Sequence, residues 1–193
     1  MVRVTIDTNC VYELESPNCS LALRGLVDLW KAGRIMLQIP EISASERQLG
    51  GGHLDDYGTF ETRVAEVGLK DATFLSPTAY IGMAYIGHAV IGGDESEKQE
   101  EAIHQILFPN VPFDADDSGP ADSDARDKWR NAKCDVQALW SHIDSGGHIF
   151  VTRDQNFLKV SRRANLEALG AGKIATPEEA LSYVEAILKS APG

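Results

Sequence analysis

Over positions 2–6 the residues VRVTI alternate apolar and polar, and the alternation stops at Asp7. A period of two is that of a β-strand with one buried face. Further strand-like runs cover 35–39, 72–75 and 149–152, with a short one around Ile174; the run at 149–152 is followed directly by Arg153 and Asp154. Between them the period lengthens to that of a helix. Leu21, Leu23, Leu26, Val27 and Trp30 form one stripe over 20–30, stopped by Gly33, and Val136, Leu139, Trp140 and Ile143 form another over 135–143, stopped by Gly146 and Gly147. Helices are also predicted over 43–47, ended by Gly50 to Gly52, over 60–67, and from Asn156 toward Leu169. The stretch 78–91 is apolar almost all round and predicts a helix that is buried or sits in a subunit contact. Thr176, Pro177 and Glu179 spell a capping box that opens a closing helix.

Strands that alternate with helices predict a three-layer α/β/α fold with a central, mostly parallel sheet of about five strands. Ligands of such sheets sit beyond the carboxyl ends of the strands, where strand order reverses. Asp7 and Asp154 each follow a strand, so neighbouring strands would bring their carboxylates together at that rim. Two further acids can reach it. Glu46 comes shortly after the second strand, and Asp135 is read as opening the helix that leads, through the Gly146-Gly147 turn, into the strand before Asp154. Like charges about 4 Å apart cost on the order of 4 kcal/mol at an effective dielectric of 20, so four gathered carboxylates hold either protons or cations. An all-oxygen set with no cysteine or histidine at ligand spacing selects Mg2+ or Mn2+ over zinc.

A chain of 193 residues with 43% hydrophobic content suits one well-buried domain. The three cysteines form no CxxC pair, which fits a reducing, cytoplasmic setting, and nothing approaches a membrane span or a signal peptide. The net charge of -11 argues at first against a nucleic-acid partner, but its distribution removes that objection. Eleven acids and two bases lie between Asp94 and Asp127, which leaves -2 for the rest of the chain. That acidic stretch, about 94–127, reads as an insertion or solvated loop. Its place before Asp135 also makes it a candidate lid that mimics RNA and shields the site.

The motifs VTIDTNC, IPEISASERQ, AKCDVQALWSHIDSGGHIFVTRDQNF and IATPEEAL, in this order, resemble those of PIN-domain (PilT N-terminal) nucleases over most of the chain. The resemblance implies hydrolysis of RNA phosphodiester bonds by water activated on a divalent metal. Carried over by position, it makes Asp7, Glu46, Asp135 and Asp154 the catalytic, metal-binding acids, with Asn9 and Thr152 as supporting or substrate contacts. Glu41 competes with Glu46 for the second acid; Glu46 is preferred because it stands more than a helical turn past the strand. Phosphate contacts then fall to Arg153, Lys159, Arg162 and Arg163. Unpaired RNA is the expected substrate. Many single-domain members are toxins neutralised by an antitoxin, and the 78–91 stretch is the candidate surface for an antitoxin or a homodimer.

Each acid has an ordinary alternative. Asp7 and Asp154 could be turn residues, Asp135 a helix N-cap, and Glu46 a solvated helix residue. The five histidines lack ligand spacing and are read as surface or half-buried, and Trp30, Trp129 and Trp140 as core or interface residues. Two other functions stay open. A haloacid-dehalogenase-like phosphatase would use Asp7 as nucleophile but wants an Asp where Asn9 stands, and a PIN-fold protein without catalysis would bind RNA or a partner.

Overall fold

The computed structural model describes residues 1–46, 52, 54, 56–81, 83–114 and 123–190. Five strands, β1 (Val2–Ile6), β2 (Ile35–Pro40), β3 (Thr73–Leu75), β4 (Ile149–Val151) and β5 (Lys173–Ala175), form one sheet in the order β3-β2-β1-β4-β5. Every pairing is parallel. The chain builds one half of the sheet outward from β1, then crosses back to build the other, so strand order reverses between β1 and β4. There Val4 pairs with Ile149 and Ile6 with Val151.

Alternation along the strands divides the core in two. Val4, Ile6, Ile149 and Val151 enter one cluster with α1 (Thr8–Glu15), α2 (Leu21–Lys31), α3 (Tyr57–Glu66) and α8 (Pro177–Ser190), through Cys10, Leu23, Leu26, Phe60, Val64 and Val184. Phe150 and Ile174 point the other way, into a cluster with α4 (Asp94–Leu107), α5 (Ser123–Asp144), α6 (Gln155–Leu158) and α7 (Val160–Leu166), through Ile103, Leu107, Val136, Leu139, Phe157 and Leu166. This is the expected three-layer α/β/α architecture. Among the described residues no helix is long and apolar enough to cross a membrane.

Local expectations fared unevenly. The capping box forms as read, with Thr176 N donating to Glu179 Oε2 at 3.0 Å and Glu179 N to Thr176 Oγ1 at 3.3 Å. The 78–91 segment is not a helix. It is a looped excursion closed by a bridge between Thr78 and Val90, with Gly87 at φ +87. Apolar composition carried the expectation, but the glycines at 82 and 87, with two more directly after the segment at 92 and 93, each weaken a helix. The acidic stretch is not one loop either, since its first part is α4 and its last part opens α5. The tract 115–122, the centre of the suggested lid, lies outside the described residues. So do Arg47 to Gly51; before them the chain makes a short 3-10 turn, Glu41–Ser45. The helix from Asn156 breaks at Lys159 (ψ 126), which separates α6 from α7.

Two histidines expected near the surface are core residues. His104 is 1% and His142 0% exposed. His142 Nδ1 lies 2.6 Å from Thr5 Oγ1 in β1, and Nε2 lies 3.0 Å from the carbonyl oxygen of Ala171. A carbonyl only accepts, so Nε2 carries the proton, and burial pushes the imidazole down to about 4. Gly147 is what lets the ring sit there: a Cβ at that position would collide with it.

Candidate active site

The chain leaves β1 at Ile6, and the next residue, Asp7, is the N-cap of α1 with extended backbone (φ -74, ψ 161). Its amide donates to Val151 O at 2.9 Å, which fixes the end of β1 against the end of β4. Asp7 is 3% exposed and richly bonded. Its Oδ1 accepts from Thr8 N at 2.8 Å, and its Oδ2 accepts from Asn9 Nδ2 at 2.5 Å and from Thr152 Oγ1 at 2.7 Å. Asn9 is itself oriented, because its Oδ1 accepts from Arg153 N at 2.9 Å. Asn9 and Thr152 therefore hold Asp7 rather than face outward as substrate contacts.

Asp154 caps α6, its Oδ1 accepting from Asn156 N at 2.7 Å. The turn reading for Asp7 and Asp154 is thus correct as far as it goes; both cap helices at the rim. Asp135 differs from its expectation. It lies in the middle of α5, which begins twelve residues earlier at Ser123, so N-capping is not its role. It makes no hydrogen bond or ion pair with any described residue.

Glu46 follows the 3-10 turn after β2, and its Oε1 lies 2.5 Å from Thr8 Oγ1, which lies 2.6 Å from Ser43 Oγ. Thr8 has one hydroxyl proton. The order Ser43 to Thr8 to Glu46 is the one that supplies the carboxylate with a donor. Thr8 and Ser43 were not singled out from sequence, although Thr8 stands inside the DTN motif.

Electrostatics bind the four acids into one group. Burial pushes Asp7 up to about 6, opposed by the Thr152 and Thr8 bonds and reinforced by the charge of Asp154. Burial pushes Glu46 up to about 8, with Asp7 and Asp154 adding to it. Asp135 rises well above the carboxylate range through burial and then the charges of Glu46, Asp7 and Asp154. Each of these acids feels at least one other, across segments up to 147 positions apart. Glu41 stands outside this group. It is engaged by Tyr57, Ser76 and His88, whereas Glu46 is the one of the two that feels the charges of Asp7 and Asp154.

The expected phosphate contacts fall into two classes. Arg153 is committed to Glu13, with Nε at 2.8 Å from its carboxylate, and to Glu178, with both terminal nitrogens at 2.7 Å. Arg163 is shared between Glu167 and Glu179. These two arginines tie α1, α7 and α8 to the ends of β4 and β5, and their carboxylate partners leave little charge for an RNA backbone. Arg162 donates to Asn156 Oδ1 at 2.9 Å, and Lys159 is exposed at the break between α6 and α7.

The donor set agrees with a hard cation. All four acids offer oxygen, and the two nearby thiols offer no thiolate, because burial and the adjacent carboxylates push Cys10 and Cys134 well up and keep them protonated. Among the described residues no three His, Cys, Asp or Glu side chains stand as a ready-made metal shell. Mg2+ asks for less, since it keeps several waters and takes one or two carboxylates plus substrate oxygens. No protein-family model matches the chain, and no curated protein matches its sequence. The likeness to PIN-domain nucleases therefore rests on the motifs alone.

Proposed function

We propose that this chain is a divalent-metal-dependent endoribonuclease of the PIN-domain kind, acting on unpaired RNA at the rim between β1 and β4. The observation that carries the reading is the electrostatic pressure on Asp7, Glu46 and Asp135, three acids from separate segments that each face the charge of Asp154 near the switch point of a parallel sheet. A fold that only needed capped helices would not gather an unpaired Asp135 with them.

A bound Mg2+ or Mn2+ would supply charge neutralisation at the phosphodiester and acidity to water. Asp7 and Asp154 are the residues proposed to hold it directly, with Asp135 as ligand or water-orienting acid and Glu46 beside them. Thr152, Asn9 and Thr8 fix Asp7 in one orientation, so it enters the reaction already placed. Lys159 is the exposed cation best located to meet the RNA backbone near Asp154. Ile81, Ile86 and Ile91, fully or almost fully in solvent, support a protein contact on the 78–91 segment of the sort an antitoxin or a second copy would make.

The test is Asp7→Asn. The variant should stay folded and lose both divalent-ion binding, read by calorimetry with Mn2+, and cleavage of a single-stranded transcript. Retained cleavage would overturn the assignment. A phosphorylated Asp7 trapped with a phosphate ester would instead favour the phosphatase alternative.

A further inference from the structure

Glu41 and His88 form a second polar arrangement on the same rim, and the metal-dependent chemistry does not use it. Thr5 pairs with Gln38, so Pro40 comes level with Asp7, and Glu41 stands just beyond the end of β2. The turn Glu41–Ser45 then runs on to Glu46, a span of about 10 Å at the rise of a 3-10 helix. Thr8 Oγ1 touches Ser43 Oγ in that turn at 2.6 Å, so both arrangements are anchored to one piece of backbone.

Glu41 is 8% exposed and accepts from three donors: Tyr57 OH at 2.8 Å, Ser76 Oγ at 2.6 Å and His88 Nδ1 at 2.8 Å. The imidazole lies stacked on the Tyr57 ring, with centroids 3.5 Å apart and planes at 23°. One ring face and one ring nitrogen are thus fixed. A carboxylate only accepts, so Nδ1 carries a proton in either form of the ring, and in the neutral form Nε2 presents a lone pair. Nε2 has no partner among the described residues and is not enclosed, and the side chain as a whole is 32% exposed. An oriented acceptor of this kind repels phosphate oxygens and suits a hydroxyl or an amine.

Resting on the nuclease reading above, we infer that His88 Nε2 binds the RNA beside the cleaved bond, accepting a hydrogen bond from a sugar 2′-hydroxyl or a base amine, with Glu41 and Tyr57 holding the ring. A 2′-hydroxyl donor would let the protein tell RNA from DNA at that position. Glu41, which competes with Glu46 for the role of second acid in the sequence, then has a task of its own.

The experiment compares wild type with His88→Asn, whose amide can still donate to Glu41 but lacks the outer acceptor. Both proteins are given Mg2+ and either a single-stranded transcript of mixed sequence or single-stranded DNA of the same sequence. Unchanged melting temperature with roughly fivefold lower kcat/KM on RNA, carried by KM, is the expected result. If DNA cleavage is unaffected the donor is the 2′-hydroxyl; if DNA is slowed by the same factor it is a base amine. Unchanged RNA kinetics in the folded variant overturns the inference and leaves the nuclease reading standing. A folded wild type that cleaves neither polymer with Mg2+ removes both.

Discussion

Thr152 Oγ1 donates to Asp7 Oδ2 at 2.7 Å, a bond between residues 145 positions apart that joins the ends of β1 and β4 at the point where strand order reverses. The same oxygen accepts from Asn9 Nδ2 at 3.1 Å and from Asp154 N at 3.0 Å, so a single hydroxyl ties together two of the proposed metal acids and the asparagine that orients one of them.

Thr152→Val keeps the shape and removes the hydroxyl. The buried carboxylate of Asp7 loses a donor, and two donors lose their acceptor, at a cost of about 2 kcal/mol in a urea titration. Mn2+ affinity should fall roughly tenfold, because a carboxylate without its supporting bond is held less well in place. Wild-type stability together with wild-type ion affinity would show that the bond is incidental.

Asp135 is the acid with no local partner, and its charge opposes three others. In EDTA, Asp135→Asn should therefore be the more stable protein, on the order of 1 kcal/mol or roughly 3 °C in melting temperature. Mg2+ should raise the melting temperature of wild type and do less for the variant, whose RNA cleavage should drop by roughly 100-fold. A variant destabilised in EDTA would mean that Asp135 is a structural residue.

His142 is neutral in the fold, held down to about 4 by burial, whereas an exposed histidine titrates near 6.5. The unfolded chain takes up this proton first as the pH falls. Stability from His142 is thus fully present above about 6.5 and is lost between there and about 4, to the extent of about 3 kcal/mol. His142→Gln should flatten that part of a pH series of denaturant melts. An undiminished slope would assign it to other groups.

Arg153 is bonded to two glutamates, and the hydrogen bonds from its guanidinium hold Glu13 down at about 2 against the opposing effect of burial. Its side chain is 36% exposed, so solvent screens much of this, and Arg153→Gln should cost roughly 1 kcal/mol. The salt dependence of RNA binding should stay as in wild type, whereas Lys159→Gln should make it shallower. A shallower slope for Arg153→Gln would restore it as a phosphate contact.

Periodicity and position carried much of the fold. Val2–Ile6 alternate in a way that only a strand explains, 149–151 is a short apolar run bounded by glycines and Asp154, the Thr176 to Glu179 box needs nothing beyond its own turn, and Asp7 and Asp154 are acids at strand ends in any register. Local patterns state what a segment can bury and where it must stop, and these elements depend on little else. Long-range pairing decided the rest. That β1 lies beside β4, which brings Asp7 to Thr152 and within reach of the charges at 46, 135 and 154, follows from packing two helical layers on one sheet. Glu41 and Glu46 are equivalent as letters; Tyr57, Ser76 and His88 fold onto the first, while the second is held by Thr8 and feels the charges of Asp7 and Asp154. Segment 78–91 looked helical because apolar residues are ambiguous without knowing what covers them, and three of its isoleucines are left in water. Sequence determines which residues carry charge and which way each strand faces, while the company each charge keeps, and hence its chemistry, is settled only when distant segments share one low-dielectric space.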